Sequence, residues 1–252
     1  MTTPRHRGTG EAGGRPARRA AASAGDASRR SASIARRVAR ILELEIVAGT
    51  LAAGARIAEQ STAELLGVSR VPVREAMMAL ERDGLLVRSA TGRLSVPILD
   101  EEDMAEILEV RRILEPAIVR AAAQRHHSGD IVALERNLAG LAAAGDRATI
   151  SHFDAEFHDL MAAASHQSRL VQVWGLLRGQ FLLWIATSQR RLVQTDDAVR
   201  RSTFAHHEAM VALVRSHDAR GAERYVRDLL REAGHGLGLP KPPGVARRRR
   251  QP

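Results

Sequence analysis

Residues 67–86 read GVSRVPVREAMMALERDGLL. Val73, Ala76, Met77 and Leu80 recur at helical spacing, so this stretch has one apolar face. Arg70 and Arg74 lie opposite that face. They are four residues apart, a spacing at which like charges repel on a helix. Ser69 stands where an N-cap belongs. Pro72 falls in the first turn, where its missing N–H costs little, and Gly84 marks the end. Glu75 is one step round the helix, and no acid shares the arginines' face. Such a face either sits in solvent or meets an anionic partner.

The flanks narrow the choice. Upstream, Ile34, Val38, Ile41 and Leu42 begin a first helix. GTLAAGARI, 49–57, breaks it with two glycines and predicts a short strand. EQSTAELL, 59–66, predicts a second helix stopped by Gly67. Downstream, LLVRS and RLSVPIL flank ATG and predict a hairpin with Gly92 at its tip. Helix, helix, glycine turn, capped helix and hairpin describe a winged helix-turn-helix. In that arrangement the outward face of the third helix enters the major groove, where arginine meets guanine edges or phosphates.

Beyond residue 100 the pattern is helical. A stretch of more than twenty residues starts at an acidic turn, DEED, and further helices are expected at about 130–144, 149–165, 168–190, 197–216 and 218–233. Asp130 and Asp218 read as N-caps or first-turn acids. The fold class is therefore mainly α: an N-terminal winged helix-turn-helix followed by an all-α bundle. The expected organisation is a disordered basic tail at 1–30, a DNA-binding unit at 31–99, a helical unit at 100–233 and a second disordered basic tail at 234–252.

The formal net charge of +9 is concentrated at the ends. Residues 1–33 and 233–252 carry +5 each, residues 34–99 carry +2 and residues 100–232 carry −3. Such tails either remain solvated or add nonspecific affinity for nucleic acid. The chain has no cysteine, which excludes disulfides and thiolate chemistry and fits a cytoplasmic protein. No apolar run reaches membrane-spanning length, and no membrane partner is expected. No glycine-rich phosphate loop, nucleophile motif or paired catalytic carboxylates are present.

LLGVSRVPVREA, 65–76, together with GTLAAGARIAEQSTAELLG, DGLL and the TGR of the hairpin, resembles the DNA-binding domain of GntR-family transcription regulators. By that resemblance Arg70 and Arg74 contact bases and phosphates, Ser69 a phosphate, and Gln60 the backbone. Val71 and Pro72 sit within the reading segment, and Thr91, Gly92 and Arg93 form the wing tip. Val71 replaces the family's threonine, and Ala53 its usual proline. ILEVRRILEPAIVRAAA (107–123), HFDAEFHDLMAAAS (152–165) and FAHHEAMVALVRSHDARGAE (204–223) resemble the FCD effector domain of the FadR-type branch.

Asp154 and His158, at i and i+4, project to the same side of a helix and can ligate one divalent ion. The resemblance implies a site of one Asp and three His that helps bind a carboxylate effector. Asp154, His158 and His207 match, while Leu229 stands at the fourth position. Three readings stay open. One is a three-ligand site for a divalent ion (zinc, manganese or nickel) completed by water or effector. The others are a metal-free pocket and a structural polar cluster. Arg111 either holds an anionic ligand or pairs with Glu115 or Glu109. Trp174, Phe181 and Trp184 read as core rather than a cofactor box. His126, His127 and the remaining histidines read as helix-end or surface residues.

The combined expectation is a cytoplasmic, nucleoid-associated, homodimeric regulator. It binds a palindromic double-stranded DNA operator, acts as a repressor, and responds to a small organic acid. It is expected not to be an enzyme. The alternatives are a metal-dependent enzyme using Asp154, His158 and His207, and a nonspecific basic DNA-binding protein.

Overall fold

The computed structural model describes residues 15–191 and 195–239. Its elements, in chain order, are α1 (Arg15–Ala48), β1 (Arg56–Ile57), α2 (Glu59–Leu66), α3 (Arg70–Arg82), β2 (Val87–Arg88), β3 (Leu94–Ser95), α4 (Glu101–Arg125), α5 (Ser128–Ala143), α6 (Arg147–Ala164), α7 (Ser168–Arg191), α8 (Asp196–Arg215) and α9 (Ala219–Gly236).

Local chemistry explains most boundaries. Gly67 closes α2 in the left-handed region, with φ +63 and its N–H on the carbonyls of Ala63 and Glu64. α4 opens with a capping box in which Asp100 and Asp103 satisfy each other's backbone N–H. Asp146, Thr195 and Asp218 cap α6, α8 and α9 through their side chains. Ser69 occupies the N-cap position of α3 but makes no side-chain cap hydrogen bond. Strand β3 pairs antiparallel with both β1 and β2, with Leu94 opposite Ile57 and Arg88. This is the wing.

The expected tails need correction where they are described. α1 begins at Arg15, inside the segment read as disordered. The reason is composition: RPARRAAASAGDASRR is rich in alanine and arginine, which favour helix, and it runs without a break into the amphipathic stretch at Ile34. At the other end α9 continues to Gly236, and residues are described to Leu239. The rest of both expected tails, 1–14 and 240–252, lies outside the described residues.

The apolar core of the winged unit combines Val38, Leu42 and Ile46 of α1, Val73, Met77 and Leu80 of α3, and Leu94 and Val96 of the wing. It also takes in Ala155 of α6 and Leu182, Leu183 and Ala186 of α7. The two units expected from the sequence thus share a core. Each fully buried leucine in it contributes roughly 1.5–3 kcal/mol. Gly179 allows the close approach: a Cβ there would lie 1.8 Å from the Asp83 carbonyl oxygen at the end of α3. A second core, around Leu108, Phe157, Phe181, Trp184, Met210 and Val226, fills the helical unit.

The reading that no apolar run reaches membrane-spanning length also needs correction. By length and composition Ser168–Ser188 of α7 is apolar enough to cross a membrane. In this fold α7 is a core helix: Trp174, Phe181, Leu182 and Trp184 are buried between the two cores.

Candidate functional site

α3 is built so that its two faces differ in kind. Val73, Ala76, Met77 and Leu80 are buried, whereas Arg70, Val71, Arg74 and Met78 are exposed. Pro72 departs from the expected reading segment: it is buried beneath this face, where its fixed φ suits the first turn. Arg70 has a loose acid partner, Glu59 of α2 at 3.7 Å, which eases its repulsion from Arg74. Gln60 is exposed and donates to Glu64 Oε1 at 3.1 Å. Exposed Ser69 stands beside the first-turn N–H groups of α3, a position suited to a phosphate.

The wing stands next to this face. Thr91, Gly92 and Arg93 are exposed at its tip, with Gly92 at φ +79. Ser89 and Thr91 join their hydroxyls at 2.9 Å. Arg88, not anticipated from sequence, braces the wing. Its guanidinium donates to Glu81 of α3 at 2.9 and 2.6 Å and to the Gly92 carbonyl at 3.1 Å. That hydrogen bonding holds the Glu81 carboxyl below its usual range. The pairing of Arg88 with Glu81 follows an i, i+7 step through a turn, a spacing with no local sequence signature.

The second site is buried in the helical unit. α6 carries Asp154 and His158 one turn apart, and α8 brings His207 across to them. Both Nε2 atoms converge on Asp154 Oδ1, His207 at 3.2 Å and His158 at 3.6 Å. Phe157 stacks on the His207 ring at 3.7 Å, fixing its plane. Burial pushes the Asp154 carboxyl up, but the close imidazoles of His158 and His207 outweigh it and hold it well below the usual carboxylate range. Burial also keeps His207 below its usual value. His158 is pushed up: burial opposes its charge, and Glu115 and Asp154 outweigh burial.

Glu115 of α4 is the residue that sequence reasoning missed in this role. It is buried, lies 3.7 Å from His158 Nδ1, and takes Arg111 Nε at 2.5 Å. Burial raises its pKa, and Arg111 and His158 more than reverse the effect. Arg111 pairs with Glu115, and it does so buried rather than at the surface. Its guanidinium also lies over Trp184, 4.2 Å from the ring centroid. Two buried atoms of the cluster have no hydrogen-bond partner, Arg111 Nη1 and His207 Nδ1. A small cavity beside Glu115 and His158 leaves about 10 Å³ for the centre of a water molecule, and is lined also by Trp174, Met210 and Val226 among others. Leu229 is half-buried and absent from that lining; Val226, one turn earlier on α9, takes the facing position. His206 points away, to the Tyr225 hydroxyl at 3.1 Å.

A chain of polar contacts runs from this cluster to the winged unit. The Trp174 ring stacks against His158 at 6.0 Å, and its Nε1 donates to Asp159 at 2.8 Å. Asp159 accepts from Arg178 Nε at 2.8 and 2.7 Å, and Arg178 donates onward to Glu43 of α1 at 2.8 and 3.0 Å. Burial works against the Arg178 charge, yet Glu43 and Asp159 push its pKa up.

The fold is that of a winged helix-turn-helix DNA-binding unit joined to an all-helical domain. The profile described as bacterial regulatory proteins, gntR family, matches residues 34–96, and the FCD domain profile matches residues 106–232. The chain belongs to the GntR family, in its FCD-domain branch, and is a transcriptional regulator rather than an enzyme. It is 34% identical to the uncharacterized HTH-type transcriptional regulator YdhC of Bacillus subtilis (strain 168) over 133 residues, 51% of this chain and 59% of that protein. The alignment thus spans less than two thirds of that relative. The gluconate operon transcriptional repressor of the same organism is 28% identical over 195 residues, 74% of this chain and 78% of that one. Among solved structures, E. coli McbR/YncC shares the fold with a TM-score of 0.68 at 22% identity, covering 81% of this chain and 97% of that one.

Proposed function

We propose that this regulator is a homodimeric repressor in the cytoplasm, which holds a palindromic operator through α3 and releases it when a small organic acid occupies the helical unit. The observation that carries this reading is the α3 face: Arg70 and Arg74 exposed over a buried stripe that is packed on α1. A groove would neutralise both charges, and two copies of α3 would read two half-sites. Exposed Ile113 on α4 and Leu176 on α7 supply apolar surface for a second copy. Ser69, Gln60, Thr91, Gly92 and Arg93 are proposed as backbone and groove contacts around the arginines.

The Asp154 cluster fits a divalent ion. Three ligand atoms lie within 4.8 Å of one another. The observed 3.2 and 3.6 Å bracket the ~3.3 Å ligand spacing expected for tetrahedral zinc with bonds near 2.0–2.1 Å. Asp154, His158 and His207 would hold it, with no fourth ligand from Val226 or Leu229; the cavity of about 10 Å³ admits a single water there, and an effector would need the surrounding helices to part. A bound ion would supply a Lewis-acid contact for a carboxylate oxygen. The relatives' names, which include a gluconate operon repressor, make sugar acids the first compounds to try.

The experiment is selection of duplexes from a random pool by the full chain, followed by titration of organic acids with and without zinc. A two-fold symmetric consensus whose affinity falls on adding one of the acids supports the proposal. Enrichment of no sequence, with equal binding to every duplex, would instead support the basic-tail alternative.

A further inference from the structure

We propose a second metal site, formed by His127, Asp130 and His166, for a divalent transition-metal ion of the imidazole-binding class. It shares no residue with the Asp154 cluster and lies at a different corner of the helical unit. His127 ends the α4–α5 connection, Asp130 is in the first turn of α5, and His166 follows α6. Three residues from two distant segments thus present one ligand atom each, all within 4.8 Å of one another.

The contacts centre on one carboxylate oxygen. His166 Nε2 lies 2.7 Å and His127 Nδ1 3.9 Å from the same oxygen, Asp130 Oδ2. The two imidazole rings are tilted by 45° to each other, with centroids 4.2 Å apart. His166 is placed there by a left-handed backbone, φ +45, which few residues other than glycine adopt. Zinc bonds of about 2.0–2.2 Å put ligand atoms ~3.3–3.6 Å apart. Closing on an ion therefore asks only that His166 withdraw slightly and His127 move in. The His127 side chain is 74% exposed and has room to do so. Two imidazoles against one carboxylate select zinc, nickel, cobalt or copper over magnesium or calcium.

Two features oppose a cation here. The N-terminus of α5 is the positive end of its dipole. Asp130 Oδ2 also accepts the His127 backbone N–H at 2.7 Å. The dipole effect is small beside three metal–ligand bonds, and the second carboxylate oxygen leaves Asp130 capacity for both partners. A bound ion would join the α4–α5 corner to the α6–α7 corner and stabilise the folded state by mass action.

The test is calorimetric titration of tag-free full-length protein with zinc, with thermal melts in parallel. His127→Ala, His166→Ala and a control, His235→Ala at an exposed position of α9, are compared with the parent chain. The expected result is one zinc fewer in each site variant, bound in the parent with a Kd at or below about 10 µM. A smaller zinc-dependent rise in Tm should accompany it, with His235→Ala like the parent. Unchanged stoichiometry in the site variants would overturn the proposal. So would a parent Kd weaker than that value, or equal loss in His235→Ala, which would mean diffuse binding to surface histidines.

Discussion

Asp154 is the residue on which the buried polar cluster is centred, since both histidine Nε2 atoms face its Oδ1. Its folded-state pKa is depressed, so its stabilising contribution is complete above the unfolded value near 3.9 and is lost as pH falls below it. Glu115 is depressed as well and adds to the same acid limb. In Asp154→Asn, with a chelator present, the urea midpoint should be lower than the parent's at pH 7, and the difference should shrink below about pH 4. A constant difference from pH 7 to pH 3 would count against the ionised pairing. The Asp154–His158 spacing was legible because i, i+4 fixes a shared face. The Glu115 contact was not, because its partner comes from another helix and its own spacing to Arg111 reads as an ordinary surface pair. His166 was hidden for the same reason: 36 residues separate it from Asp130, and only the folded chain closes that distance.

At the scale of elements, α7 does more than its apolar composition suggests. Gly179 meets the Asp83 carbonyl of the α3 end, and a backbone oxygen cannot rotate away as a side chain would. Gly179→Ala should therefore cost about 1–3 kcal/mol, read as a lower denaturant midpoint. An unchanged midpoint would mean that α7 and α3 do not approach as described. Arg178, the next residue back, is held by Glu43 and Asp159 from two other helices. Arg178→Met should cost about 1–3 kcal/mol, since it leaves Asp159 without its cation and Glu43 with Arg40 alone, less whatever solvent returns at a partly exposed site. Most element boundaries were readable from glycines, acids and apolar period. The start of α1 was not, because a run of alanine and arginine has the composition of a tail and the propensity of a helix.

For the whole molecule, the shared core is the feature that composition and period could not reveal. Periodicity shows that Leu182, Leu183 and Ala186 are buried, but it does not say which unit they are buried against. Because α7 belongs to both cores, and because Trp174, Asp159, Arg178 and Glu43 join the buried polar cluster to α1, a shift at His158 has a packed route to the DNA-binding unit. Asp159→Asn should accordingly leave operator affinity without effector within about threefold. It should also weaken the effector's influence on that affinity, by 0.5–2 kcal/mol in magnitude. An undiminished effector response would remove this route. The central claim, that the exposed arginines of α3 read a specific operator, is tested most directly by anisotropy titration of Arg70→Ala and Arg74→Ala. Each variant would be measured against a selected operator and against a random duplex at one fixed salt concentration. The account predicts that each substitution weakens operator binding by about 10- to 100-fold and random-duplex binding far less. Retention of operator affinity by both variants, or an equal loss on both duplexes, would contradict it.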